Sequence, residues 1–322
     1  MPINTANIGF FDLEVPILLN TKKQTVQKCT REDSLGRRVF TVSNYAVLTI
    51  IALISLIPIV NVLSMSFSSN AAVSSGAVTL WPVDFTVGAY QRIIENGQFF
   101  HSFLISVERS VLGILINLLL TVLAAYPLSR SLQAFRARKI YIWYFLVPML
   151  FSGGLIPWYF IVKSTGIYDT IWALILPGAV PVFNVILLMN FFRELPKEIE
   201  ESAYVDGAGH LTTLIRIHIP LSKAALATLV LFCFVNHWNS WFDGLILMRS
   251  KDSYPMQTYL QTMLTVPDLS KSSSEEIIEF FKVNLRSIKA AQIFVSTIPI
   301  FVIYPLLQKY FAKGVVLGAV KG

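Results

Sequence analysis

The polar residues of this sequence are few, and their spacing limits the chemistry open to them. His210, His218 and His237 do not form a metal site: the first two lie about two helical turns apart, and no H-E-x-x-H pattern accompanies them. No serine or cysteine has a base nearby in sequence, and G-x-x-x-x-G-K-[ST] is absent, so neither a nucleophile–base pair nor a phosphate cradle is expected. Glu108 and Arg109 are adjacent charges near the end of an apolar run. A proton relay is one reading of them; a hydrated membrane interface suits their position better. Asn236, Asn239 and Asp243 fall at i, i+3 and i+7, one stripe of a single helix, flanked by Trp238, Trp241 and Phe242. Amides beside aromatic rings suit a sugar, whose faces are apolar and whose rim is hydroxyl. The alternative is hydrogen bonding between helices, with the rings at a lipid interface. Asn184 and Trp158, the latter beside Tyr159, are further candidates to line the same path.

The elements that hold these residues are apolar. The chain has 322 residues, 54% hydrophobic and 14% charged, with a mean hydropathy of +0.61. A soluble domain would carry about 25% charged residues. Six runs are long enough to cross a hydrocarbon core of about 30 Å at about 1.5 Å per residue. They are Val42–Met65, Phe103–Leu128, Ile140–Ile161, Ile171–Phe192, Ala224–Met248 and Ala290–Phe311. An all-α polytopic membrane protein of six spans is the expectation. Lysine and arginine concentrate in the leader, between spans two and three, and around 193–223, which predicts cytoplasmic N- and C-termini. The net charge of +7 follows from those loops and calls for no nucleic-acid partner. Residues 1–40 read as a cytoplasmic leader, either a surface-lying helix or an unstructured segment, and 41–322 as the membrane domain. Loops 67–100 and 249–289 fall outside; the first reads as an ordered cap, the second as carrying an amphipathic helix (Ile277, Ile278, Phe280, Phe281, Leu285) into span six. Cys29 and Cys233 sit in such different settings that no disulfide is expected.

One polar segment interrupts the apolar chain on the cytoplasmic side: "EIEESAYVDGAGHLTTLIRIHIPLS", Glu198–Ser222. Pro196 suits the first turn of a helix, Gly207 and Gly209 supply the tight backbone that ends it, and Pro220 closes a second short helix. Helices of about two turns are unstable alone, so they must pack on something. Ile199, Ala203, Leu211, Leu214, Ile215 and Ile217 offer the face. A loop that packs only on its own bundle fits these observations as well as a docking surface does.

The residue types go further. Glu201-Ser202-Ala203, three residues, Gly207, nine residues, then Ile217-x-Ile219-Pro220 resembles the EAA loop of the permease subunits of bacterial ABC importers, with Ser202 for alanine and Ile219 for leucine. Around it, "NHWNSWFDGLILM" is similar to the Trp-Asn element of the sugar-importing members, through Trp238 and Asn239, "LAAYPLSR" to their second span, and "KYFAKGVVLGAVKG" to the tail of maltose-type carbohydrate permeases. The resemblance implies a type I ABC importer fold and a transport subunit rather than an enzyme. It implies that loop 194–222 couples to a separate ATPase through Glu201, Ser202, Ala203, Asp206, Gly207, Ile217 and Pro220. ATP and Mg would be bound by the partner subunits and no cofactor by this chain. The implied partners are a second permease chain, two ATP-binding subunits, an external solute-binding protein and an oligosaccharide, with alginate oligosaccharides the suggested subgroup. The tail, Lys313–Gly322, would reach toward the ATPase. An ion-coupled secondary transporter built on Glu108 and Arg109 is the alternative.

Overall fold

The computed structural model describes residues 35–264 and 286–319. The leader up to residue 34, the amphipathic helix expected before span six, and residues 320–322 lie outside them. Among the described residues the chain is helical apart from an isolated antiparallel bridge between Ser68 and Phe85. Two compact units divide near residue 54. Within the first, the described residues form the start of α1 (Leu35–Ser66), whose apolar side chains are exposed. The second unit carries everything below.

Local sequence explains the starts of the first helices in this unit. Ser69 Oγ accepts Ala72 N–H at the head of α2 (Asn70–Ser74), and Asn96 accepts Phe99 N–H at the head of α4 (Gly97–Ser129), each side chain capping a donor that the helix cannot satisfy itself. Between them lies α3 (Gly88–Glu95). Loop 67–100 is ordered by this short helix and by Asn61 and Ser64, which donate to the carbonyls of Thr79 and Leu80 at 2.6 and 2.7 Å.

Helix α4 is the axis of the unit, packed along α8 (Val182–Glu194) and α11 (Lys223–Asn239). Its buried face reads Ser102, Ser106, Ser110, Gly113, Asn117, Thr121 and Ala125, a repeat of three and four in small or hydrogen-bonding residues. In an apolar solvent helices gain little from hiding apolar surface from one another. Close approach and interhelical hydrogen bonds hold them instead, and this face supplies both. Leucines 104, 115, 119 and 123 point outward. Helix α11 also packs against α13 (Met256–Leu264) and α14 (Arg286–Ala319).

Of the six expected spans, three are continuous: Gly36–Ser66, Gly97–Ser129 and Arg286–Lys309 are each long and apolar enough to cross. The others are broken. Helices α5 (Arg138–Leu150) and α6 (Leu155–Ser164) meet at 116°, and Gly154 makes the corner at a φ of 86°, where a side chain would be strained. Helices α7 (Ile171–Gly178) and α8 meet at 49°, with Pro177 and Pro181 removing backbone donors at the join. The fifth run is not one helix either: α11 stops at Asn239, Ser240 is extended, and α12 (Phe242–Leu247) follows.

Candidate functional site

Two sites take shape, one at the C-terminal end of α4 and one about midway along it. The first is loop 194–222. Helix α9 (Lys197–Val205) has no buried residue, and Glu198 and Glu200 sit in its first turn, where its dipole favours carboxylates. Gly207 turns the chain at a φ of 80°, as expected. Gly209 corrects the reading: its φ is −77°, an ordinary value that places no demand for glycine. Pro220 also corrects it. The proline does not close the second helix but lies within α10 (His210–Leu221), which bends 82° into α11 at Ser222. Pro220 has no N–H for the carbonyl of Arg216, and its ring crowds that oxygen. The helix widens into a π-turn over Leu214–His218, where Ile219 N–H reaches back to Leu214 O.

Of the residues assigned to coupling, Glu201, Ser202, Asp206, Gly207 and Pro220 are exposed, and Ala203 and Ile217 half-buried. Val205 is 87% and Leu211 64% exposed, beside Ile215 and Ile199. Glu200 points the other way. It forms an ion pair with Arg130, the residue that ends α4. The Arg130 guanidinium lies 4.1 Å over the Tyr126 ring, and its carbonyl accepts Arg138 Nη1 at 2.8 Å. His218 is buried edge-on against Tyr126 and Phe192, ring centres 5.0 and 5.3 Å away. Burial pushes its imidazole below the ordinary value, against the bond from Nδ1 to Thr213 O at 3.3 Å. Arg130, Glu200 and His218 were invisible as a set because they lie on three separate elements.

The second site is a cleft of about 220 Å³ lined by Arg109, Trp158, Asn236, His237, Ser240 and Asp243 among others. Arg109 does not sit at a hydrated interface beside Glu108. Glu108 is exposed, whereas Arg109 is 2% exposed and pairs with Asp243 in bidentate fashion. A cation inside an apolar bundle needs a counter-charge and acceptors, and the helix breaks provide them. Arg109 donates to the carbonyls of Ser240 and Leu174 at 3.4 and 3.3 Å, and Asp243 accepts Ser240 Oγ and Gly244 N–H at 2.9 Å each. The expected single stripe of Asn236, Asn239 and Asp243 is therefore wrong. Asn236 and Asp243 reach one cleft because the helix ends between them, and Asn239 is exposed on its last turn. Trp158 joins them there. Trp238 is 1% exposed, stacks on Phe234 and donates to Ser296 O at 3.0 Å, an anchor between α11 and α14. Trp241 is 38% exposed, and Asn184 is buried with its amide 3.4 Å from Cys233 Sγ. Gly113 went unremarked in sequence, and His237 was weighed only as a metal ligand: the His237 ring lies where a Cβ on Gly113 would be, and its Nε2 meets the Asn117 amide at 3.2 Å.

The chain as a whole is similar to known proteins. No protein-family model matches the chain. Protein LplC of Bacillus subtilis (strain 168) is 36% identical over 293 residues, 91% of this chain and 98% of that one. The polygalacturonan/rhamnogalacturonan transport system permease protein YtcP of the same organism is 37% identical over 288 residues, 89% of this chain and all of that one. A crystal structure of a bacterial ABC transporter involved in the import of the acidic polysaccharide alginate contains a similar chain, with a TM-score of 0.77, 34% identity, and coverage of 86% of this chain and 98% of that one. At these identities over nearly the whole length of both partners, the chain belongs to the family of permease subunits of sugar-importing ABC transporters.

Proposed function

We propose that this chain, a multi-pass protein of the inner membrane, forms one half of the pathway through which an ATP-driven importer admits an acidic oligosaccharide. In this reading both termini are cytoplasmic, and loop 194–222 seats in a cleft of a separate ATP-binding subunit. A second permease chain completes the pathway, two ATP-binding subunits hold ATP and Mg, and an external binding protein delivers the saccharide onto loops 67–100 and 249–289. Glu201 makes the ionic contact with the ATPase; Ser202, Ala203, Asp206, Gly207, Ile217 and Pro220 shape the surface around it. Asn236, Trp158 and Asp243 border the path, with Asn184, Asn239, Trp238 and Trp241 behind or beside them.

The observation that carries the docking role is the outer edge of α9 and α10. Val205 and Leu211 are among the most exposed apolar residues, yet they alternate with Glu201, Asp206 and other polar groups that lipid would not solvate. Such an edge fits a protein partner with apolar and basic character. An acidic saccharide is supported by what the two named systems move, polygalacturonan or rhamnogalacturonan in one and alginate in the other. The ion-coupled alternative loses its footing, because Arg109 is committed to Asp243 rather than to Glu108. Proteoliposomes decide the matter. Uptake of labelled trigalacturonate or alginate tetrasaccharide that requires added ATPase subunits, a binding protein and ATP supports the proposal. Uptake driven by an ion gradient with this chain alone refutes it.

A further inference from the structure

Adjacent carboxylates on α9 face in different directions. Glu201 is exposed, while the Glu200 side chain is 21% exposed and held by Arg130. Successive helical residues are about 100° apart, so a helix lying on a surface presents one of them outward and the next inward. Arg130 caps the C-terminal end of α4, and Arg109 lies near the middle of the same helix, 21 residues earlier and about 31 Å away by helical rise, with Pro127 in the last turn between them. There Arg109 grips Asp243 and the carbonyls of Ser240 and Leu174, where the fifth and fourth spans break. The C-terminal end is gripped twice, by Glu200 of α9 through charge and by His218 of α10 through the Tyr126 ring.

We propose that Glu200 and Arg130 form a latch that transmits displacement of the α9–α10 pair into α4, and through α4 to the Arg109–Asp243 contact at the cleft. Glu200 is a positioning residue: it touches neither nucleotide nor saccharide, and it converts movement of the loop into movement of a span. The proposal rests on the docking role given to the loop above. Chemically the latch suits repeated use. The ion pair is less enclosed than Arg109–Asp243, with side chains 12% and 21% exposed against 2% and 18%, so it is the easier of the two to open and remake. The Tyr126 face beneath the guanidinium keeps Arg130 in place when the carboxylate moves. His218 Nε2, 3.8 Å from Glu200 and beyond hydrogen-bonding reach, leaves the carboxylate free to slide.

The test uses the assembled transporter with its ATPase subunits, in a chain whose Cys29 and Cys233 are alanine and whose Asn236 is cysteine as a reporter at the cleft. A water-soluble maleimide reads the rate of labelling with and without vanadate-trapped ATP. The unaltered latch is expected to show an ATP-dependent change in rate. Glu200→Gln is expected to shrink that change by about 2- to 30-fold, the range typical of a broken coupling step, while the ATPase subunits still copurify. Glu200→Asp should keep it, and the swap Glu200→Arg with Arg130→Glu should restore it. A Glu200→Gln complex that keeps the full change overturns the latch. So does a swap that fails to recover function when the single variants do not assemble. Failure of the ATPase subunits to associate with the unaltered chain would instead overturn the docking role itself, a separate outcome.

Discussion

The two arginines of α4 make the same kind of bond under different conditions. Arg109 is 2% exposed, and its carboxylate partner accepts two further hydrogen bonds; Arg130 is 12% exposed, and its Nε and Nη2 are buried without a hydrogen-bond partner, as is Arg109 Nε. A buried pair that loses one member strands a charge, at about 3–5 kcal/mol, and the cost falls toward about 0–1 kcal/mol as a pair becomes exposed. The inner pair is the more enclosed and the more heavily bonded of the two, and the outer one is the easier to open. One helix thus carries a firmly held contact at the cleft and a more releasable one at the loop. A lever needs both.

The contrast can be broken most directly at Asp243. Asp243→Asn should lower stability by about 3–5 kcal/mol, seen as a large drop in melting temperature and yield of purified protein, while Arg130→Gln should cost less, because it removes a charge whose Nε and Nη2 already lack partners. Equal losses from the two would end the distinction. Next in size, Gly113→Ala pushes a methyl into the His237 ring and should destabilise by about 1–3 kcal/mol, the usual penalty of overpacking. Gly209→Ala, with an ordinary φ and nothing within 4 Å of its added Cβ, should melt as the parent does. Glu201→Lys sharpens the other side: membrane insertion and melting should be unchanged, and binding of the ATPase subunits about 10-fold weaker or more through like-charge contact. Normal binding would remove Glu201 from its assigned role. The smallest effect concerns His218, which faces Glu200, Arg130 and Tyr126. Its folded-state value is lowered from 6.5, so the folded chain loses stability as pH falls through 6.5 toward that lower value and is unaffected above it. Melting curves at pH 7.5 and 5.5 should therefore differ less for His218→Gln than for the parent.

The residues show where sequence reasoning reached and where it stopped. The position of loop 194–222 was legible because Glu201, Gly207 and Pro220 lie within 20 residues, where spacing is fixed along the chain. Within it, the positive φ at Gly207 followed from residue type, but the π-turn did not: Pro220 looked like a stop, and only the bend at Ser222 made continuing the helix favourable. The stripe through Asp243 failed for a related reason. Neither glycine nor proline marks Ser240, and the break there is stabilised by Arg109, 131 residues earlier in the chain.

Length and composition alone determined that the chain is helical and crosses a membrane, since backbone groups in lipid must be satisfied locally and about 20 apolar residues suffice for each crossing. Spacing alone also marked the loop that interrupts it. Only the tertiary structure decided which charges meet. Pairs such as Arg109 with Asp243 and Arg130 with Glu200 depend on which helix faces turn toward α4, and that is set by the small residues packed along its length. Local periodicity carries no information about partners so far apart. The same geometry separated Glu200 from Glu201, two identical side chains whose roles differ because one turns inward and the next turns out.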